Sequence, residues 1–268
     1  MSDRLRVAVA GAAGRMGRAA IRAIAREGDL ALAGALGRTA GIGRDAGELA
    51  GAGRLGTEIS ADVERLLASG VDVLVDFSPG AAAADHARRA IPCGVAPVIG
   101  GTGLSAEQIN ELSSLCEARG VGAVIAPNFA IGAVLMMEFA RQAARYLPHA
   151  EVIELHHDRK RDAPSGTALK TAALIADVRG AAPAPPVAEE ELVAGARGGT
   201  SAGVRVHSVR LPGLVAHQEV IFGGPGQTLT IRHDSVSEES FMPGLLLAVR
   251  RVRSLPGLVY GLEKLLEP

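Results

Sequence analysis

The tightest constraint in this 268-residue chain is the run Gly11-Ala12-Ala13-Gly14-Arg15-Met16-Gly17. It follows the apolar stretch Val7–Ala10 and leads directly into a helical pattern. In a chain with 34 glycines, spaced glycines alone say little. Set between a strand and a helix, they read as a dinucleotide-binding turn. Gly11 permits the tight turn, Gly14 lets backbone approach a pyrophosphate, and Gly17 lets helix and sheet pack closely. The helix N-terminus adds N–H groups and the positive end of its dipole. A plain strand–helix turn is the bland alternative. A P-loop is excluded, because no Gly-Lys-Ser/Thr follows. The second strand ends at Leu36-Gly37-Arg38-Thr39. About twenty residues past the glycines an acidic side chain normally takes the ribose 2′-OH. Gly37 and Arg38 stand there instead, which suits a 2′-phosphate, unless Arg38 is only a solvated surface residue.

The first half alternates short apolar runs with helical stretches, the rhythm of a parallel sheet covered by helices. Strands are predicted over 6–10, 30–36, 71–77, 96–99 and 121–125, the third buried on both faces. Helices are predicted over 16–27, 81–90 and 105–119, the last capped by Ser105. The rhythm lapses at Pro127-Asn128. The second half reads as a helix over 134–146, a strand over 151–155 and a helix opening near Ser165. Loops are expected over 183–186 and 194–203. Strands 205–211, 216–222 and 228–233 follow, joined by Pro212-Gly213 and Gly223–Gly226, turn chemistry that suits an antiparallel meander. A helix over 241–253 closes the chain.

Composition excludes several classes. A formal net charge of −1 gives no global field for nucleic acid or anionic membrane. Any anion must be held by local positive groups. Aromatic residues are 3% and Trp is absent, so the core must be aliphatic. The apolar run after Arg6 is broken by glycines where an export signal would continue, and the longest apolar stretch stops at Glu138, far short of a membrane span. A cytoplasmic protein is expected. Cys93 and Cys116 have no zinc-like spacing. Two reduced thiols are the expectation, with a disulfide as the alternative.

The most informative stretch runs from Glu154 through His156-His157, the basic Arg159-Lys160-Arg161, and Pro164-Ser165-Gly166-Thr167. A strand ends in two histidines and Pro-Ser-Gly-Thr opens a helix. Ser165 can cap that helix, and the N–H groups near Gly166 and Thr167 make a second anion site. His156 or His157 can supply a proton near neutral pH. Lys160 can neutralise a carboxylate or donate a proton. Together they describe a site where a dicarboxylate is reduced and protonated. No metal is expected, since adjacent histidines on a strand point to opposite faces and no partner has ligand spacing. A solvated charge run is the bland reading of residues 159–161.

These residues resemble the 4-hydroxy-tetrahydrodipicolinate reductase family, also called dihydrodipicolinate reductase. The resemblance spans nearly the whole chain: the Gly14–Gly17 start, Asp45–Leu49, Val75-Asp76-Phe77, Ile99–Gly103, Asn128-Phe129, the His156–Ala168 stretch and Phe241–Gly244. It implies NAD(P)H-dependent reduction with loss of water, in lysine and diaminopimelate biosynthesis. His156 would match the general acid, and Lys160 a second proton donor or charge stabiliser. His157, Ser165, Gly166 and Thr167 would hold the substrate's carboxylates. Gly11, Ala12, Ala13, Gly14, Arg15, Met16, Arg38, Gly100, Gly101, Thr102, Ala126, Pro127, Asn128 and Phe129 would line the cofactor site; from Arg38 beside Gly37, NADPH is expected in preference to NADH.

The implied fold is α/β: a Rossmann-type parallel-sheet domain over 1–127, completed by 236–268. An α+β substrate domain over 128–235 would have an open, mostly antiparallel sheet through which four copies form a homotetramer. Three departures stand out: Ala13 and Gly101 replace a common glycine and a frequent threonine, and Glu238 stands where arginine is often found. Two competing functions share the glycine loop. Another dehydrogenase of similar layout would need its own catalytic group, and neither cysteine has an activated setting. A non-catalytic NADP(H) sensor would have no reason to place acid and cations at an anion-binding helix start.

Overall fold

Leu5–Ala10 (β1) carries Val7, Ala8, Val9 and Ala10 with no exposed surface, which only the middle of a sheet covered on both faces allows. Burying each such valine stabilises by roughly 1.5–3 kcal/mol. The computed structural model describes residues 4–101, 103–181, 187–188 and 190–266. These fall into two compact units, one holding the described residues up to 129 and from 241 on, the other 130–240.

In the first unit β1 is followed by Arg15–Arg26 (α1), Leu30–Leu36 (β2), Ala46–Ala50 (α2), Ile59–Ser60 (β3) and Val63–Leu67 (α3). Val73–Asp76 (β4), Gly80–Ala90 (α4), Ala96–Ile99 (β5), Ala106–Arg119 (α5) and Ala123–Ile125 (β6) complete its N-terminal part. Ser105 caps α5 through a capping box with Gln108, and Gly120 ends it at φ 62°, where glycine carries no steric penalty.

The second unit runs Ile131–Ala143 (α6), His149–His156 (β7), Gly166–Arg179 (α7), Gly199–Ser201 (β8), Val204–Arg210 (β9), Ala216–Gly224 (β10) and Gln227–Ser235 (β11). Met242–Arg251 (α8) and Leu258–Tyr260 (β12) then return to the first unit.

The first sheet has seven parallel strands in the order β12-β6-β5-β4-β1-β2-β3. The order reverses at β1, between β4 and β2, the place where such sheets open a crevice at their carboxyl ends. The second sheet has five strands, β11-β10-β7-β9-β8, with every pair antiparallel except β7 with β9. The expected fold class, a Rossmann-type sheet plus an open, mostly antiparallel one, is what forms.

Four local expectations are corrected. The strands 205–211, 216–222 and 228–233 do not form a meander: β7 lies between β9 and β10. Leu211–Val215 crosses two strand spacings, roughly 10 Å. Five extended residues reach about 16–18 Å, so turn-like Pro212-Gly213 bridges one strand as readily as none. Part of the loop expected over 194–203 pairs as β8, and Pro183–Pro186 lie outside the described residues. Helix α6 begins three residues earlier than its apolar pattern indicates, because Ala130 at its start offers no side-chain cap to mark it. The chain does not close on a helix, since β12 pairs with β6 beyond α8.

Candidate functional site

Each unit presents one concentration of the sequence-predicted residues. In the first, a cleft of about 480 Å³ opens at the carboxyl ends of the central strands. Gly11, Gly14, Arg15, Met16, Gly100 and Gly101 line it, with Gly17, Phe77, Ser78 and Pro79. Gly11 follows β1 at φ 72°, a left-handed conformation that side chains resist. A Cβ on Gly17 would lie 2.9 Å from Ala12 Cα and strike the Gly11 carbonyl, so glycine lets α1 start against the turn. Helix α1 has no side-chain cap and no acidic residue in its first turn. Its leading N–H groups and dipole are therefore arranged for an anion. Uncapped amides, a glycine cradle and a cleft of this volume fit the pyrophosphate of a nicotinamide dinucleotide.

The other predicted cofactor residues stand apart from this cleft's lining. Ala12 is buried and donates its N–H to the Leu36 carbonyl at 3.0 Å. Ala13 keeps φ out of the positive range, so its methyl is accommodated. Arg38 is exposed just past β2 and, among the described residues, makes no ion pair. Ala126, Pro127, Asn128 and Phe129 follow β6, with the Ala126 N–H extending the ladder to Ile99. Phe129 packs edge-on to Phe77 with centroids 6.3 Å apart. A Cβ on Gly100 would enter both rings, and one on Gly101 would strike the Ser78 carbonyl. The threonine frequent in the family at that place has no room on this backbone. Thr102 lies outside the described residues.

Sequence reading missed Phe77, Ser78 and Pro79. The available signal was their place just past the carboxyl end of a central strand, where open α/β sheets bind ligands. Buried Asp76 fixes them. It accepts the Ser78 N–H at 2.7 Å and bonds His86 Nδ1 at 2.7 Å.

In the second unit, β7 ends on His156. Side chains alternate along a strand, so Glu154 shares the face of His156. Glu154 is fully buried and holds His156 Nδ1 at 2.5 Å through Oε2. Arg210, the register partner of His156 on β9, grips the same carboxylate with both arms, at 2.9 and 2.7 Å. The Ser165 N–H donates to Glu154 Oε1 at 3.3 Å. Burial alone would raise the Glu154 carboxyl. Hydrogen bonds from His156, Arg210 and Ser208 outweigh it and hold the group down at about 2. Glu154 is thus ionised at neutral pH, and one carboxylate ties the histidine to the start of α7.

Ser165 is buried and its hydroxyl caps α7 by accepting the Ala168 N–H at 3.2 Å. Gly166 is exposed and Thr167 half-buried in the first turn. Lys160 sits in the loop after His157, turned onto Asp162 at 2.7 Å. That ion pair holds the Asp162 carboxyl below its usual range. The Asp162 carbonyl accepts from Arg210 at 2.7 Å, so the loop is anchored to the same guanidinium. His156, Lys160 and the start of α7 are thus linked through Glu154 and Arg210; His157 is half-buried just beyond the strand. Sequence reading gave neither linking residue a role. Glu154 was findable, two positions before His156 on one strand face. Arg210, 54 residues beyond His156, becomes its neighbour only through sheet register.

Both cysteines are free thiols, and burial pushes buried Cys116 up to about 11, the opposite of activation. Among the described residues no helix is long and apolar enough to cross a membrane, and no three His, Cys, Asp or Glu side chains gather to hold a metal.

Comparison with known proteins agrees across the chain. Residues 5–129 match the family model described as dihydrodipicolinate reductase, N-terminus, and residues 132–266 that described as dihydrodipicolinate reductase, C-terminus. A 4-hydroxy-tetrahydrodipicolinate reductase of Moorella thermoacetica is 59% identical over 264 residues, 98% of each chain. One from Synechococcus elongatus is 48% identical over 273 residues, covering 99% of this chain and 100% of its own. The solved structure of a dipicolinate-bound dihydrodipicolinate reductase from Paenisporosarcina sp. TG-14 superposes with a TM-score of 0.86 at 41% identity, covering 97% of this chain and 99% of that one.

Proposed function

The chain belongs to the dihydrodipicolinate reductase family, the NAD(P)H-dependent reductases of lysine and diaminopimelate biosynthesis, and on that premise we propose that it reduces 4-hydroxy-tetrahydrodipicolinate to tetrahydrodipicolinate, with NADPH preferred over NADH. The first unit is the nucleotide-binding domain and the second the substrate-binding one. The observation that carries this reading is the Glu154 carboxylate, which bonds both His156 and the Ser165 N–H at the head of α7. A proton donor and an anion-binding helix start are built as one piece, as a reaction on a dicarboxylate requires.

When bound, the nicotinamide supplies hydride. Gly11, Gly14 and the leading amides of α1 would hold its pyrophosphate, with Phe77 and Gly100–Gly101 forming the neighbouring walls. The first turn of α7, through Gly166 and Thr167, takes one substrate carboxylate, with His157 beside it. His156 delivers a proton from Nε2, its other nitrogen being engaged by Glu154. Lys160 exchanges its Asp162 partner for substrate and neutralises developing charge. Loss of the 4-hydroxyl as water accompanies net addition of hydride and proton.

The test is NADPH oxidation on adding enzymatically generated 4-hydroxy-tetrahydrodipicolinate, run with each cofactor. Turnover is expected, and cofactor binding without turnover would favour a sensor and overturn the reading. Arg38 can give the 2′-phosphate a charge-assisted, bidentate contact, and Gly37 offers no carboxylate to repel it. Such a contact contributes roughly 1.5–3 kcal/mol, so NADPH should be favoured about tenfold or more at low salt. Arg38→Ala should erase that preference while keeping NADH affinity. Equal affinities in the wild type would sink the assignment.

The second sheet's face away from α7 exposes parts of Ile153, Leu155, Val209 and Ile221, flanked by Glu151 and Arg232. An open apolar sheet centre with a charged border supports assembly of four copies through this face. Light scattering should give the mass of four chains; a monomer would exclude it. Two free thiols and a biosynthetic role agree with a cytoplasmic location.

A further inference from the structure

We propose that Glu154, locked by Arg210, is a positioning residue that fixes the His156 proton on Nδ1 and thereby makes Nε2 the atom that faces substrate. This rests on the reading of His156 as proton donor and adds what sets its orientation and tautomer. The geometry leaves the ring little choice. Oε2 of Glu154 lies 2.5 Å from His156 Nδ1, and a buried ionised carboxylate can only accept there. His156 is itself 16% exposed, so the ring is not sealed from a ligand.

The carboxylate cannot swing away. Arg210 occupies both of its oxygens, and the Ser165 N–H takes Oε1 again. Arg210 is held in turn by the carbonyls of Val209 and Asp162. The arrangement thus ties three segments, the end of β7, the 157–164 loop and the head of α7, to one anion. Among the described residues the neighbouring elements bring no competitor for Nδ1. Beta-strand β9 places Arg210 opposite His156 and β10 places Ala216, while Lys160 and Asp162 of the loop pair with each other. Second partners of this kind fix which ring nitrogen is protonated in other histidine sites, and at metal-bound histidines losing them typically costs about 10- to 100-fold in metal affinity or activity.

Glu154→Gln keeps the shape and the Ser165 contact but presents an amide where the anion stood. It should lower kcat about tenfold, with KM and NADPH affinity unmoved, a split that a general loosening of the unit would not give. Combined with His156→Ala it should cost no more than His156→Ala alone, because groups that act as a unit are not additive. Removing the anion leaves half-buried Arg210 without its partner, which endangers folding. The wild-type enzyme therefore carries a second measurement. Nitrogen-15 NMR of the imidazoles, with His156 identified by its loss in His156→Ala, should find the neutral ring protonated on Nδ1. A neutral ring protonated on Nε2 overturns the proposal, as does a folded Glu154→Gln enzyme with normal kcat or with KM raised in step. If instead His156→Ala turns over normally, the reading of His156 as donor falls, while the NMR result still decides what Glu154 does to the ring.

Discussion

His156→Ala is expected to lower kcat by about 10²–10⁴-fold, the usual contribution of a general acid, while NADPH affinity stays where it was. The cofactor cleft is built from Gly11, Gly14–Gly17, Phe77–Pro79 and Gly100–Gly101, none of them in the unit that carries His156. Loss of the imidazole therefore separates turnover from binding. Stability is a minor concern, because His156 ends its strand half-buried and Glu154 keeps Arg210 and the Ser165 N–H. Lys160→Met, which keeps the aliphatic stem, should follow in the same direction. A histidine variant with near-normal kcat and unchanged pH dependence would remove His156 from the mechanism.

Thr167→Val is expected to raise KM about 10- to 100-fold with kcat much less affected. The substitution removes a hydroxyl and nearly keeps the shape. A hydrogen bond to a charged group is worth roughly 1.5–3 kcal/mol, which is that range in affinity. Thr167 lies in the first turn of α7, where the dipole favours an anion, and Ser165 already serves as the cap, so helix formation does not depend on Thr167. The carboxylate interaction persists from ground state to transition state, so its loss belongs in KM. Unchanged KM, measured by initial rates with NADPH saturating, would place the substrate elsewhere.

Legibility followed from how local the deciding interactions are. Strands β1 and β5 were readable because burial on both faces leaves runs such as Val7–Ala10 and Ala96–Ile99 apolar throughout. The Ser105 cap was readable because its partner is three residues away. The glycine turn and the His156–Thr167 stretch were readable because consecutive residues supply most of their chemistry. Strand β8 was hidden, since Gly199-Thr200-Ser201 is largely exposed and carries no apolar pattern. Strand β12 is three residues long, too short to show a pattern beyond the helix expected to close the chain. The place of β7 between β9 and β10, and with it the meeting of Arg210 and Glu154, depends on pairing across more than fifty residues, which no local pattern encodes.

The pairing of β12 with β6 also sets the order in which the chain can finish folding. Ile125 and its partner Tyr260 are separated by the entire second unit, roughly 130 residues of synthesis. At about 5–20 residues per second, the β6 edge emerges some 7–26 s before its neighbour exists. During that interval a buried-type strand, Ala123–Ile125, presents an open row of N–H and C=O groups. Gly244 of α8, whose bare backbone lies against the Phe129 carbonyl, arrives equally late. The N-terminal unit, first to leave the ribosome, therefore cannot be sealed until the chain is nearly complete, and the intervening unit emerges while its host is still unfinished.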